Sequence, residues 1–495
     1  MASYVPRRLL LAGLAVVVFL AAFWSLLPES SIPAKATEEW WHPINDSTNT
    51  SHSLHNQPVP ELPLRKRHNV AVASTFVHHF DVYMALVWTL ELVLQPKYDG
   101  ENSDGPIHVF APPFGFGFQS VVDRLQLYHG VRGLPEALVP HIVGQPGDGG
   151  IDMVVLGTCE IDLPHWHAEL LAAWDARDDT HKFKLVCIVH NVKDTSWQRL
   201  IPEWSSRSAL RLLPIADHVA KSFRKDFSNK ADSIDPAVYT TGYEHIPVDV
   251  HVPLLDIPDL PTKPANRALS KAIIQGTFQS DAVIITASSA TLSPPYMDPQ
   301  AWGYQALEGG SSFVPNHRAT DAPFELLLVG AGSLDIPEEL AYLVSIHRDL
   351  DYEDFYALIA GADVVVPAFA DFGYFEDQAS STVHLAMELD MPLLVTQRTR
   401  EAYGYIDDDR AVITRPAAMH EVHALRALRT GNASAFLNSD PTGTGHPMST
   451  SPLLAEAVRS MIEEGWYATK KSFYAFKKDV WQSNRDVVER LLRDL

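Results

Sequence analysis

Short, continuous apolar runs alternate along this chain with segments whose apolar residues fall three and four apart. The first kind reads as strands buried on both faces, the second as helices with one apolar face. The pattern is clearest from Phe324 to Thr396. Phe324 to Val329 forms a strand ending at the small-residue turn Gly330-Ala331-Gly332, and Tyr352 to Ala362 forms a helix with Phe355, Leu358 and Ile359 on its apolar face. Val364 to Pro367 is the next strand, Ala379, Val383, Ala386 and Met387 mark a second helix, and Leu393 to Thr396 closes the unit as a strand. The same alternation appears earlier. Strands are expected over Asn69 to Ser74, Ile107 to Phe110, Asp152 to Leu156, Lys184 to Val189 and Leu212 to Ile215. Helices are expected up to Leu94, over Ser120 to Tyr128, around Glu169 to Arg177, and over Val219 to Phe227.

Strands alternating with helices imply parallel sheets covered by helices, and such sheets bind ligands beyond the carboxyl ends of their strands. The fold class is therefore α/β, with two doubly wound Rossmann-like domains facing a cleft. The first spans residues 68–250 and the second 266–451, joined by a proline-rich linker over 251–265. Residues 288–323 and 431–451 read as surface excursions, and 452–495 as a helical segment packing back on the first domain.

At the amino end Arg7 and Arg8 precede the uncharged run from Leu9 to Leu27, long enough to span a bilayer. The expectation is a cytosolic tail over 1–8, a transmembrane signal anchor over 9–27 and a stem over 28–67. The flanking arginines then leave the body lumenal, as a single-pass type II protein of the Golgi or endoplasmic reticulum membrane. Asn45, Asn49 and Asn432 open glycosylation triplets that fit this orientation. The two cysteines, Cys159 and Cys187, fit either a disulfide or two buried thiols. Lys and Arg total 39 against 61 Asp and Glu, a net charge of -22, which speaks against general nucleic-acid binding.

Candidate chemistry sits where strands end. His78, His79 and Asp81 follow the first strand, with helix capping as the simpler role, and His190 ends another strand. Phe114 and Phe116 lie in an aromatic and glycine loop whose ring faces suit a sugar or a lipid. Gly330, Gly332, Ser380, Ser381 and Thr382 are placed to offer amides to a phosphate, with Arg398 nearby and Glu376 in the loop before the helix. Asp349-Leu350-Asp351 and Asp407-Asp408-Asp409 imitate metal motifs but read as solvated turns.

Phe324 to Gly332, Tyr352 to Pro367 and Ser381 to Val395, in this order within a two-domain plan, resemble the GT-B glycosyltransferases, specifically the "glycosyltransferase family 1" module of family-four retaining enzymes. The resemblance implies a nucleotide-sugar donor on the second domain, a glycan, protein or lipid acceptor on the first, and no metal or other cofactor. It also implies that His190 contacts the donor sugar, and His79 and Glu376 join it as catalytic candidates. The pattern departs from the family at Leu385, which stands where a ribose-binding Glu precedes Ala-Met, with Asp377 eight positions earlier. A shifted register would instead bring Glu376 to the sugar with His384 eight residues on. No basic pair follows the second domain's first strand near Gln275, leaving Lys271, Arg398 and Arg400 as substitutes. These departures fit an alternative: a catalytically weakened relative that binds glycans or scaffolds other lumenal proteins.

Overall fold

The computed structural model describes residues 68–94, 105–264, 267–278, 298–307, 313–332, 334–336, 338–369, 371–441, 443 and 445–495. The expected anchor over 9–27, the stem, Asn45 and Asn49 lie outside the described residues. Among those described, no helix is long and apolar enough to cross a membrane.

The first domain runs β1 (Val70–Ala73), α1 (Phe80–Leu94), β2 (Ile107–Phe110), α2 (Phe118–Leu125), β3 (Arg132–Gly133), α3 (Leu138–Gly144), β4 (Met153–Leu156), α4 (Cys159–Asp175), β5 (Lys184–Val189), α5 (Ile201–Ser205), β6 (Leu210–Pro214) and α6 (Asp217–Ala231). Its six strands are parallel in the order β3-β2-β1-β4-β5-β6. Each central strand is apolar throughout because helices cover both faces; β1 and β4 are buried at every position. The order reverses between β1 and β4, where a doubly wound sheet opens a crevice. Helix α4 begins at Cys159, well before the Glu169 start expected from periodicity, and takes Pro164 into its interior. Cys159 and Cys187 are joined as a disulfide.

The second domain runs β7 (Lys271–Phe278), a hairpin of β8 (Tyr304–Ala306) and β9 (Phe313–Pro315), β10 (Glu325–Gly332), β11 (Val344–Arg348), α7 (Tyr352–Ala360), β12 (Val364–Val365), α8 (Ser381–Glu388), β13 (Leu393–Val395), α9 (Gln397–Ala402), β14 (Val412–Thr414), α10 (Glu421–Thr430) and α11 (Ser434–Leu437). Its parallel order, β11-β10-β7-β12-β13-β14, repeats that of the first domain. The expected surface excursions are partly core: Trp302 and Tyr304, beside the hairpin, and Phe436 on α11 are buried against the second sheet's outer face.

The chain ends with α12 (Pro452–Glu464) and α13 (Lys470–Arg493). The expected return to the first domain holds only for the second of these. Val458 and Met461 of α12 and the following Trp466 pack into the second domain's core, so the reversal comes after them. Helix α13 carries an apolar stripe, including Phe473, Phe476, Val480 and Val488, that is buried at the join of the two domains. Trp481 lies edge-on to Trp88 of α1 at 5.6 Å and donates its indole N–H to the Leu254 carbonyl at 2.9 Å. Asn484 accepts the Val252 amide at 3.0 Å and donates to the Val252 carbonyl at 2.8 Å.

The domains also meet along the cleft floor. Asn191 pairs with Gln378 in an antiparallel bridge, Val192 N–H donates to Asp377 O at 2.8 Å, and Ala379 N–H donates to His190 O at 2.9 Å. His218, in the first turn of α6, lies between the Ala402 and Gln378 carbonyls at 3.0 and 2.9 Å. These contacts fix the segment leading into α8 against the loop after β5.

Candidate active site in the interdomain cleft

Between the carboxyl ends of the two sheets lies a cleft of about 780 Å³, lined from one side by His78, His79, Phe116 and His190 and from the other by Gln275 to Phe278, Gly330 and Ser380 to Thr382. That volume lies within the range of small-molecule sites.

On the first-domain wall, His79 sits in the left-handed region at φ 59 and accepts at its carbonyl from the Val82 amide at 3.1 Å, starting α1. Its ring stacks on His190 with centroids 4.4 Å apart. Burial, and then the neighbouring His190, push the His79 imidazole down to about 3, so it is neutral at working pH. Behind the pair lies Glu160, in the first turn of α4. Its Oε1 accepts the backbone amides of His190 and Asn191 at 2.6 and 3.0 Å, and its Oε2 stands 3.6 Å from His190 Nδ1. Burial works to raise this carboxyl, but the hydrogen bonds and charge of His190 hold it below the usual carboxylate range. Glu160 thus clamps the backbone of the loop with one oxygen and sets its charge beside the His190 ring with the other, at a distance longer than a hydrogen bond. Glu160 was not among the residues singled out from the sequence. The criterion that selected His79 and His190, a polar residue just past a strand's carboxyl end, also selects Glu160.

Asp81, in the first turn of α1, reaches across to the second domain, with its Oδ2 3.5 Å from His384 Nε2. Burial works to raise it, but the hydrogen bond and charge of His384 hold it below its ordinary value. Both residues are thus committed to the domain seam, and His384 is buried rather than presented to a donor.

The two candidate aromatics separate. Phe116, at φ 51 and half exposed, lies over His78 at 5.9 Å and lines the cleft. Phe114 does not. It is buried between Phe80 and Phe118, with the Arg132 guanidinium over its ring at 4.3 Å, because that side of the loop closes the core over α2.

On the second-domain wall, Gly330 and Gly332 belong to β10 rather than to a turn and pair with Gly276 and Phe278 of β7. At Gly330, where φ is 147, a Cβ would stand 1.9 Å from the Gly276 carbonyl oxygen, so the small residues permit close strand approach. Gly330 still lines the cleft, whereas Gly332 is not among its lining residues.

At the start of α8 the three candidate amides are not equivalent. The Ser380 amide donates to the Tyr403 hydroxyl at 3.0 Å, and the Thr382 amide is capped by Ser380 Oγ at 3.3 Å. The Thr382 hydroxyl turns to Gln275. Among the described residues only the Ser381 amide of the three has no protein partner, and Ser381 is exposed in the cleft. Ordinary capping accounts for Thr382, and the Tyr403 hydroxyl for Ser380.

Glu376 and Arg398 are not cleft residues. They pair with each other at 3.4 Å, and the guanidinium lies over Phe372 and Phe375 at 4.8 and 4.7 Å. Glu376 closes the 3-10 turn at Phe372–Phe375, and Arg398, from the first turn of α9, lies over that turn's rings. Arg400 is held by Asp407 and Asp409, and Asp351 caps α7 through the Asp354 amide, so these acids serve structural roles. Among the described lining residues of the cleft there is no Lys or Arg. Asn432 is exposed, its side-chain oxygen accepting the Ser434 amide at 2.8 Å.

No family model matches the chain, and no curated relative matches it. Solved structures do resemble it. An alpha-glucosyltransferase in complex with UDP is 8% identical with a TM-score of 0.43, covering 84% of this chain and 99% of that one. UGT89C1 of Arabidopsis thaliana, complexed with UDP-L-rhamnose, is 10% identical with a TM-score of 0.39, covering 84% and 100%. An O-GlcNAc transferase of Thermobaculum terrenum is 13% identical with a TM-score of 0.39, covering 88% and 71%. At these identities the likeness concerns the fold alone. The fold is GT-B-like, with two parallel-sheet Rossmann-like domains of the same strand order facing a shared cleft.

Proposed function

We propose that this protein is a glycosyltransferase that moves a sugar from a nucleotide-sugar donor to a hydroxyl of a glycan, protein or lipid acceptor. The observation that carries the reading is the cleft itself. It joins the carboxyl ends of two sheets of identical order, with stacked imidazoles on one wall and the open amide of Ser381, at the positive end of α8, on the other. In this reading the diphosphate rests on that helix end. His190, oriented by Glu160, and His79 face the transferring sugar, and Phe116 faces the acceptor. Retention of configuration enters the reading only as what the resemblance to family-four enzymes implies. Metal independence belongs to the same reading, because the helix end takes the place of a cation on the leaving group. So does a membrane anchor over 9–27 with the body in the lumen of the Golgi or endoplasmic reticulum; the Cys159–Cys187 disulfide suits an oxidising compartment.

A second reading has one observation in its favour, the lack of a cation among the described lining residues. A catalytically weakened glycan-binding or scaffold protein would have that character. Calorimetry on the full chain in detergent, with EDTA present and UDP, GDP and their sugar conjugates as probes, separates the two. The glycosyltransferase reading expects one of these to bind in the micromolar to millimolar range. Ser381→Asp, which places a fixed negative charge at the same helix end, should then weaken it roughly tenfold or more with the fold intact. Failure of every nucleotide to bind the unaltered protein overturns this reading in favour of the second.

A further inference from the structure

A smaller cavity of about 300 Å³ opens beside the cleft, at the carboxyl ends of β12, β13 and β14. An aromatic partition divides the two. Tyr374 lines the cleft, Phe375 lines the smaller cavity, and Phe369 borders both, stacked on Tyr374 at 5.1 Å and edge-on to Phe375 at 5.2 Å. The cavity is apolar along Val366, Leu394 and Val395. Elsewhere it is polar: Arg415 pairs with Glu421 and donates to the Met419 carbonyl at 2.6 Å, His420 stands beside them in the lining, and the Thr396 and Thr399 hydroxyls lie 3.3 Å apart. Arg415 Nε is buried and finds no acceptor within the protein.

The chemistry of this lining narrows the ligand. An anion would meet the Glu421 carboxylate, with the only lining guanidinium already neutralised by it. A purely apolar ligand would bury the threonine hydroxyls and the guanidinium without partners, at a substantial desolvation cost. A sugar hydroxyl both donates and accepts, which a guanidinium–carboxylate pair and two hydroxyls can satisfy together, while the C–H face of the ring matches an aromatic wall. The volume lies at the lower end of ligand sites and suits one ring rather than a chain.

We propose that this cavity binds a single uncharged pyranose, separately from the donor cleft. The site takes that ring either as a free monosaccharide or as the terminal unit of a glycan, and it does not depend on the protein being a transferase.

Saturation-transfer NMR on the full chain tests it, using the methyl glycosides of glucose, galactose, mannose and N-acetylglucosamine and short glycans ending in each. One of these sugars should bind with a dissociation constant on the order of millimolar. Val422→Phe fills the cavity from its wall and should abolish that binding, and Arg415→Gln should weaken it roughly tenfold. Should Arg415→Gln fail to fold, Val422→Phe alone decides. A glycan binding much more tightly than its terminal glycoside identifies the chain end as the ligand, and equal binding identifies the free sugar. The proposal is overturned if no sugar binds, if binding survives Val422→Phe, or if UMP displaces the sugar and is itself lost in Val422→Phe, which would give the cavity to a nucleobase.

Discussion

Glu160 holds the backbone with one carboxylate oxygen and leaves the other facing His190. This division makes the residue separable by substitution. Glu160→Gln keeps an acceptor for the His190 and Asn191 amides but places an N–H group, or an oxygen without charge, opposite Nδ1. The loop should therefore persist while the imidazole loses the negative charge beside it. Removal of such an orienting partner typically costs ten- to a hundredfold. If the proposed transfer is the protein's reaction, its rate should fall by about that much with the melting temperature little changed. Donor affinity should hold, since the residue does not line the cleft. Equal activity in Glu160→Gln would make Glu160 a backbone clamp only. His79 plays a different part: held neutral by burial, it can pack against His190 without competing for its proton.

At the scale of elements, the central strands were legible because a parallel strand covered on both faces is apolar at every position, as in Met153–Leu156 and Leu326 to Val329. Short edge strands leave no such mark: Arg132–Gly133 is two residues long, and neither is buried. Side-chain direction is the second gap. Periodicity placed Glu376 and Arg398 near the strand ends but not which way they face: Glu376 leaves a 3-10 turn whose start Asp371 caps through the Gly373 amide at 2.6 Å, and Arg398 turns from α9 to meet it. Phe114 and Phe116 differ in the same way, two residues apart with one in the core and one in the cleft. The terminal aromatics announced a packed helix and its return to the first domain, but not that α12 and Trp466 would stay in the second domain's core. Asn484 on α13, almost wholly buried, has a side chain that makes two hydrogen bonds to Val252. Replacing it by Ala leaves a buried donor and acceptor unpaired, at about 2 kcal/mol or more. Urea unfolding of Asn484→Ala should show that loss with the slope unchanged, and an unaltered midpoint would mean that α13 adds little to the stability of the body.

The whole molecule joins its domains through buried ionisable groups, and their proton affinities give stability a definite dependence on pH. Burial pushes His79 and His251 down to about 3, against 6.5 for a free imidazole. Between these values the unfolded chain binds protons that the folded one refuses, so stability falls as pH drops below about 6.5. Burial lowers His141, His218 and His423 as well, which adds to the same limb. Glu388 acts in the opposite sense. Its carboxyl, at the back of α8 with the Leu255 amide at 3.0 Å, is pushed up to about 8 from 4.5, first by burial and then by Asp81. The folded state holds that proton where the unfolded state has released it, so this contribution is complete below pH 4.5 and is lost as pH rises to about 8. Below 6.5 the histidines outnumber the single carboxyl, and above it they no longer titrate, so the two limbs meet near pH 6.5. Melting temperature recorded from pH 5 to 8 should pass through a maximum there. Glu388→Gln removes the titration but keeps an acceptor for the Leu255 amide, and it should flatten the decline above the maximum while leaving the acid limb in place. An alkaline limb that persists unchanged in that variant would assign the decline to another group and remove Glu388 from the account of the seam.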